Sequence, residues 1–206
     1  MSVPGIAVGI LAGGEGTRFG GVDKGWIERD GRAQIEHVLQ AVAANSAALV
    51  DAGFPAIALV MVSANRNLER YAAALDGAGD ASAVVPDRWP DYPGPMAGIA
   101  SLLSRLDRSE RLLTVPIDHA DLPHDYALRM LSSGTSADDF VVASDGDGVQ
   151  PMFALYPGAL GAVFVAAFEA GERSVNRWQR VHMPRLCHFA GHRFGNLNAP
   201  TDLPPA

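Results

Sequence analysis

Ile6-Ala7-Val8-Gly9-Ile10-Leu11-Ala12-Gly13-Gly14-Glu15-Gly16-Thr17-Arg18-Phe19-Gly20-Gly21-Val22-Asp23-Lys24 is the stretch from which the fold is read. Ile6–Ala12 is a short apolar run that stops at a glycine cluster. A run of that length with no polar face is expected of a strand buried in a parallel sheet. From Leu11 to Lys24 there are five glycines, one arginine and one lysine. Glycines let backbone N–H groups approach and cradle phosphate oxygens. Arg18 can hold a phosphate bidentately and Lys24 can do so as a point charge. The same composition would serve a flexible connector with incidental cations, so the loop alone leaves both readings open.

Outward from this stretch, apolar strand-like runs alternate with helix-like ones. Trp26–Glu28 followed by Arg29-Asp30-Gly31 suggests a strand tip and a tight turn. Gln34–Val50 has its apolar residues near helical spacing, and Ile57–Val62 reads as a buried strand. Asn67–Leu75 reads as a helix and Val84–Val85 as a short strand ended by Pro86. The proline-dense segment 86–95 must be a loop. Met96–Leu106 reads as a helix, Arg111–Val115 as a strand, and Asp121–Leu131 as a helix with Pro123 in its first turn. Phe140–Ala143 and Met152–Tyr156 read as strands, Ala159–Ala170 as an apolar helix, and Gly195–Leu203 as a loop leading into a short terminal helix. Strands alternating with helices of this length predict a three-layer α/β/α sandwich around a mostly parallel sheet. Ligands of such sheets bind beyond the carboxyl ends of the strands. The loops after Ala12, Val62, Val85 and Val115 are therefore where a site is expected.

The 206 residues predict one domain, 1–206, large enough for a core without staples. Hydrophobic residues at 48% and charged ones at 19% are a globular composition. The net charge of −7 argues against a nucleic-acid or anionic-membrane binder. It leaves room for a small anion, since a few local cations outweigh a distant net charge. The single cysteine, Cys187, rules out an intrachain disulfide and a cysteine-rich zinc site. No apolar run reaches the roughly 20 residues of a membrane helix. The first residues carry no basic segment ahead of an apolar run, so no secretory signal is expected. A cytoplasmic setting fits.

Two common phosphate motifs fail in the opening loop. A G-x-G-x-x-G pattern beginning at Gly14 meets Phe19 at its last position, which leaves a dehydrogenase as a remote reading. A P-loop needs Gly-Lys-Ser/Thr, whereas Lys24 stands between Asp23 and Gly25. What does match is the pattern L-A-G-G-x-G-x-R-x-G-G-x-D-K-G, which resembles the opening signature of the molybdenum cofactor guanylyltransferases. These belong to the wider group of sugar-phosphate-type nucleotidyltransferases. Further segments match in the same order: Ser63-Ala64-Asn65-Arg66, Asp91-Tyr92-Pro93-Gly94-Pro95-Met96-Ala97-Gly98, Pro116-Ile117-Asp118 with Leu122-Pro123, Gln150-Pro151-Met152-Phe153-Ala154, Gly171-Glu172-Arg173, and Phe194-Gly195-Asn196-Leu197-Asn198-Ala199-Pro200.

The resemblance implies a Rossmann-like, nucleotide-diphospho-sugar-transferase-like fold. The activity it implies is GMP transfer from GTP to molybdopterin, with Mg2+ as cofactor. The terminal phosphate of the pterin attacks the α-phosphorus of GTP and pyrophosphate leaves. The site must therefore neutralise charge as one anion approaches another, and hold attacking and leaving oxygens in line. Asp118, just past the strand Arg111–Val115, is the metal ligand under this reading, because one carboxylate plus phosphate oxygens and waters is a usual Mg2+ shell. By position alone it could equally be a helix N-cap. Lys24, with Arg18 assisting, is assigned to the GTP phosphates. Leu11, Ala12, Gly13 and Gly14 line the nucleotide with backbone groups, and Ser63 and Gly94 belong to the same nucleotide set. Asp87 matches the guanine-side aspartate, since a carboxylate accepts from both N1–H and N2–H2 of guanine. Without the resemblance it reads as a turn residue beside Pro86. Asn196, Asn198 and Arg173 are assigned to the pterin. Asn196 and Asn198 would also serve Asx turns, and the Arg173, Arg177 and Arg180 cluster beside Trp178 could equally be a solvated face. Asp121 is expected to cap the Pro123 helix and His119 to be a solvated loop residue.

The chain departs from the pattern at Ser63, where relatives often carry Asn, at Ala120, where they usually carry Pro, and at Glu15, which adds negative charge to the loop. A cytidylyl or sugar-phosphate nucleotidyltransferase is the nearest rival. A cofactor carrier or chaperone that binds without turnover is the rival of another class. The resemblance also implies contacts with other proteins of cofactor biosynthesis and insertion.

Overall fold

The computed structural model describes residues 5–14, 21–78, 81–89, 94–119, 121–136 and 138–195. Arg18, Asn196 and Asn198, the terminal helix expected after Gly195, and the departures at Glu15 and Ala120 lie outside the described residues.

Strand β1 (Ile6–Leu11) runs up the middle of a seven-stranded sheet. A 3-10 turn at Lys24–Trp26 leads into a two-strand hairpin, β2 (Glu28–Arg29) and β3 (Arg32–Ala33). The turn between them, Asp30-Gly31, has φ of 53° and 72°, the left-handed pair that a tight hairpin needs. Helix α1 (Gln34–Asp51), strand β4 (Ile57–Ser63), helix α2 (Leu68–Ala74) and strand β5 (Ser82–Val85) follow. Next come α3 (Pro95–Leu103), β6 (Arg111–Pro116), α4 (Tyr126–Ser133), β7 (Val141–Asp145) and β8 (Gly148–Pro157). The described chain ends with α5 (Gly161–Glu169), α6 (Val175–His182) and β9 (Arg185–His188).

The strand order is β5-β4-β1-β6-β8-β7-β9. β1 pairs in parallel with β4 and β6, β4 with β5, and β7 with β9, while β8 runs antiparallel to both its neighbours. The sheet is thus mostly parallel, as expected. A helix cannot cross between β7 and β8, because they are a hairpin turning at Gly146-Asp147. Helices cover both faces, as two separate cores show. On one face Ile35, Val38, Leu49, Tyr71 and Met130 pack with Ile10, Val62 and Val115. On the other Ile99, Leu102, Phe164, Phe168 and Trp178 pack with Ala7, Leu112 and Tyr156.

Several boundaries move from expectation. α3 ends at Leu103, three residues early. α4 starts at Tyr126, so Pro123 lies before the helix and its carbonyl accepts from Tyr126 N–H. Asp121 does not cap it; the N-cap position is Asp125, whose side chain makes no capping bond. Helix α6 and strand β9 were not read from the sequence at all.

Candidate active site

The parallel strands β5, β4, β1 and β6 end on one side of the sheet, and the ladder continues past them. Ala12 N–H donates to the Ser63 carbonyl at 2.8 Å, Ile117 N–H to Leu11 at 3.0 Å and Ala64 N–H to Val85 at 3.3 Å. These bonds fix the starts of the loops that leave the strands. Between the loops lies a cavity of about 440 Å³, within the range of a small-molecule site. Leu11, Ala12, Gly13, Gly14, Lys24, Ser63, Asp87, Gly94 and Asp118 all line it, joined by Pro95, Gly98, Pro116, Ile117 and Met152. The nine nucleotide positions expected from the sequence are therefore gathered in one hollow.

One end of the cavity is built on Asp87. Asn65 donates from its amide to Asp87 Oδ2 at 2.8 Å and accepts from the Asp87 backbone N–H at 2.9 Å. This reciprocal pair holds the carboxylate in one plane. The Ser63 hydroxyl donates to Oδ1 at a long 3.5 Å. Burial pushes the Asp87 carboxyl above the ordinary carboxylate range, and the bonds from Asn65 and Ser63 pull part of the way back. Helix α3 closes this end. Gly94 stands before it with φ 90°, a conformation open to glycine, and Pro95 opens the helix. Gly98 faces Ser63: a Cβ there would lie 2.6 Å from the serine oxygen. The helix N-terminus lining the cavity favours an anion.

The other end holds Lys24 and Asp118, whose Nζ and Oδ2 are 2.6 Å apart. Both are mostly shielded, so the pair is stronger than a surface salt bridge. Asp118 sits in the turn after β6 and its carboxylate accepts from Lys24 rather than capping a helix. Asp23 shapes the turn that carries Lys24. It accepts from Gly25 N–H at 3.1 Å, from the Tyr71 hydroxyl at 2.6 Å and from the Asn67 amide at 2.9 Å. Burial, with the Asp23 carboxylate beside it, pushes the Tyr71 phenol well above its ordinary value, which keeps it a donor. Gly25 is required because a Cβ there would fall 2.2 Å from the Tyr71 oxygen. The Asp-Lys-Gly order thus has a physical reason: an anchor, the cation, and a gap for the tyrosine. Sequence reasoning quoted Asp23 and Asn65 within motifs but gave neither a role, and it missed Tyr71.

One expectation fails nearby. His119 is 2% exposed, not solvated, and burial lowers its pKa to about 4. Arg173 stands just before α6, whose N-cap is Ser174. Its guanidinium stacks 4.0 Å over Phe168 and donates to the Phe168 and Glu172 carbonyls. Arg177 is neutralised by two bonds to Glu172 at 2.6 Å. Arg173 does not line the cavity, but Phe168 packs 4.4 Å from Trp89, two residues beyond Asp87.

The MobA-like NTP transferase domain matches residues 8–185 of this chain. The molybdenum cofactor guanylyltransferase of Shewanella halifaxensis is 34% identical over 194 residues, covering 93% of this chain and 88% of that protein. That of Photobacterium profundum is 34% identical, covering 94% and 91%. A solved structure, molybdopterin-guanine dinucleotide biosynthesis protein A from Archaeoglobus fulgidus, covers 95% of this chain and 94% of its own with a TM-score of 0.65. At 20% identity it shows the shared fold. Fold, motif order and relatives converge: the chain belongs to the MobA-like NTP transferase family, among the molybdenum cofactor guanylyltransferases.

Proposed function

We propose that this chain, as one domain, transfers the GMP unit of GTP to the terminal phosphate of molybdopterin and releases pyrophosphate. A phosphate oxygen of the acceptor attacks the α-phosphorus, and the bond to the β-phosphate bridging oxygen breaks. The observation that carries this reading is the single cavity with an oriented carboxylate at one end and an ion pair at the other. Asp87 accepts from guanine N1–H and N2–H2, a donor pair that adenine and cytosine do not present together. The backbone of Leu11, Ala12, Gly13 and Gly14 lies along the nucleotide, with Ser63 and Gly94 at the base end. Lys24 turns its ammonium to the phosphates and Arg18 assists. Arg173, Asn196 and Asn198 serve the pterin.

Among the described residues no group of three or more His, Cys, Asp or Glu side chains forms a metal cage. Asp118 in a phosphate-sized cavity is the donor set that suits Mg2+, which keeps waters and phosphate oxygens in its shell. When bound, Mg2+ neutralises developing charge on the phosphates. Among the described residues no helix is long and apolar enough to cross a membrane. A cytoplasmic setting and hand-over to other cofactor-biosynthesis and insertion proteins complete the proposal.

The test is pyrophosphate release with molybdopterin and Mg2+ and, in parallel, GTP, CTP or ATP. Release with GTP alone is expected. Release with CTP would move the chain to the cytidylyl activity. GTP binding without release would make it a carrier.

A further inference from the structure

Arg66 follows β4 and faces the glycine-rich loop across 44 to 52 positions of sequence. Its Nη1 donates to the Gly21 carbonyl at 2.7 Å. Its Nη2 donates to Gly14 at 3.1 Å and to Val22 at 3.2 Å. Its Nε lies 3.8 Å from Asp23 Oδ2. One planar fork therefore spans both stems of the loop, the stem that leaves β1 and the stem that enters the Lys24 turn. Only arginine offers several donors in such a fixed fork. A trans peptide is planar, so fixing a carbonyl also fixes the N–H on its far side. Loops that cradle phosphate work through such N–H groups.

The neighbours of Arg66 extend the same brace. Asn65 holds Asp87 at the base end. Asn67, left-handed at φ 53°, holds Asp23 beside Lys24. Three consecutive side chains thus hold Asp87, Gly14 and the Asp23 that anchors the Lys24 turn, with Arg66 and Asn67 sharing Asp23 Oδ2.

We infer that Arg66 is a positioning residue that clasps Gly14 to Gly21 and Val22, and so sets where the Gly14 backbone and the Lys24 turn stand at the cavity for the nucleotide phosphates. The kinetic consequence rests on the guanylyltransferase reading; the clasp itself does not. Arg66→Ala and Arg66→Lys in the full chain test it. Lysine keeps the charge and could reach Gly14 and Val22 through one nitrogen, as Nη2 does, but it gives up the separate Nη1 bond to Gly21 and the rigid fork.

Without ligand, amide hydrogen exchange at residues 11–14 and 21–26 should quicken in both variants, with α4 unchanged as an internal control. With ligand, Arg66→Ala should weaken GTP binding roughly 10- to 100-fold and guanosine binding less than about twofold, since a misplaced loop touches only the phosphates. Arg66→Lys should recover less than half of the loss on a logarithmic scale. Unchanged exchange in the loop would overturn the clasp. So would equal losses for GTP and guanosine, or full recovery with lysine. If Arg66→Ala also loosens α4, the lysine variant decides. If the wild-type chain shows no preference for GTP, the functional reading falls, and the exchange experiment still decides the clasp.

Discussion

The two ends of the cavity are held in different ways. At the base end, Asp87 is locked by a neutral amide that bonds both its carboxylate and its own backbone. None of those bonds has to break for the carboxylate to accept further donors, because each oxygen keeps a free lone pair. At the phosphate end, the cation and the anion hold each other. In the proposed function a polyanionic ligand and a divalent cation would each take one member of that pair, so that this end would exchange partners. The contrast is between a preorganised carboxylate, which the proposed function uses for selectivity, and an ion pair, which it uses for charge handling.

The largest way to break this contrast is Asp118→Asn. The fold should persist, since Asn fills the same space. Turnover should fall about 10³-fold, the scale of losing a charge that stabilises the transition state. GTP affinity without Mg2+ should hold or rise, because Lys24 is released from its carboxylate. Steady-state rates at saturating Mg2+ and titration calorimetry read the two effects. Near-normal turnover would remove Asp118 from the metal role.

Lys24→Ala comes next. The loss is one charged hydrogen-bonding partner of the phosphates, about 1.5–3 kcal/mol or roughly 10- to 100-fold in GTP affinity. GMP should lose less than GTP, and guanosine nothing. Equal losses across the three would place the lysine elsewhere than on the phosphate chain.

Asp87→Asn should act on choice, not on rate. The amide puts its own donors against guanine N1–H and N2–H2, so preference for GTP over ATP should fall roughly tenfold or more. The same residue gives a pH signature. Burial raises its pKa, so the carboxyl takes up a proton at a higher pH than an exposed carboxylate would. The protonated form cannot accept from both guanine donors. GTP affinity should therefore decline on acidification through that raised pKa, and Asp87→Asn should flatten this limb. An identical pH profile in the two proteins would exclude Asp87 as its source.

How far these ends could be read beforehand follows from the reach of sequence patterns. α1 was legible to within one residue because eighteen positions repeat one spacing. β1 and β4 were legible because both faces are apolar. α6 was not, since its eight residues are mostly polar and only Val175, Trp178 and Gln179 are buried. β9 is four residues long, and its strand state comes from pairing with β7 instead of from its own preference. In the site, the residues that line the cavity stand in motifs at strand ends. The residues that hold them, Asn65, Arg66 and Tyr71, act across 22 to 52 positions, where no local spacing records the contact. His119 shows the same limit, because a turn sequence does not say which way its side chain folds.

The smallest expected effect separates the two side chains on Asp87. Ser63 and Asn65 both bond the Asp87 carboxylate, with unequal strength. The serine bond to Asp87 is 3.5 Å long and contributes little, whereas the Asn65 bonds are 2.8 and 2.9 Å. A Cβ at Gly98 would lie 2.6 Å from the Ser63 oxygen, so the glycine keeps room for the serine beside Asp87. The amide that fixes Asp87 is that of Asn65. Ser63→Ala should change the GTP to CTP preference by less than about threefold, and Asn65→Ala should lower it roughly tenfold by freeing the carboxylate to rotate. Competition binding with the two nucleotides measures both. A larger effect from Ser63→Ala than from Asn65→Ala would mean that the serine hydroxyl meets the base directly, and that the locked end is set by Ser63 rather than by Asn65.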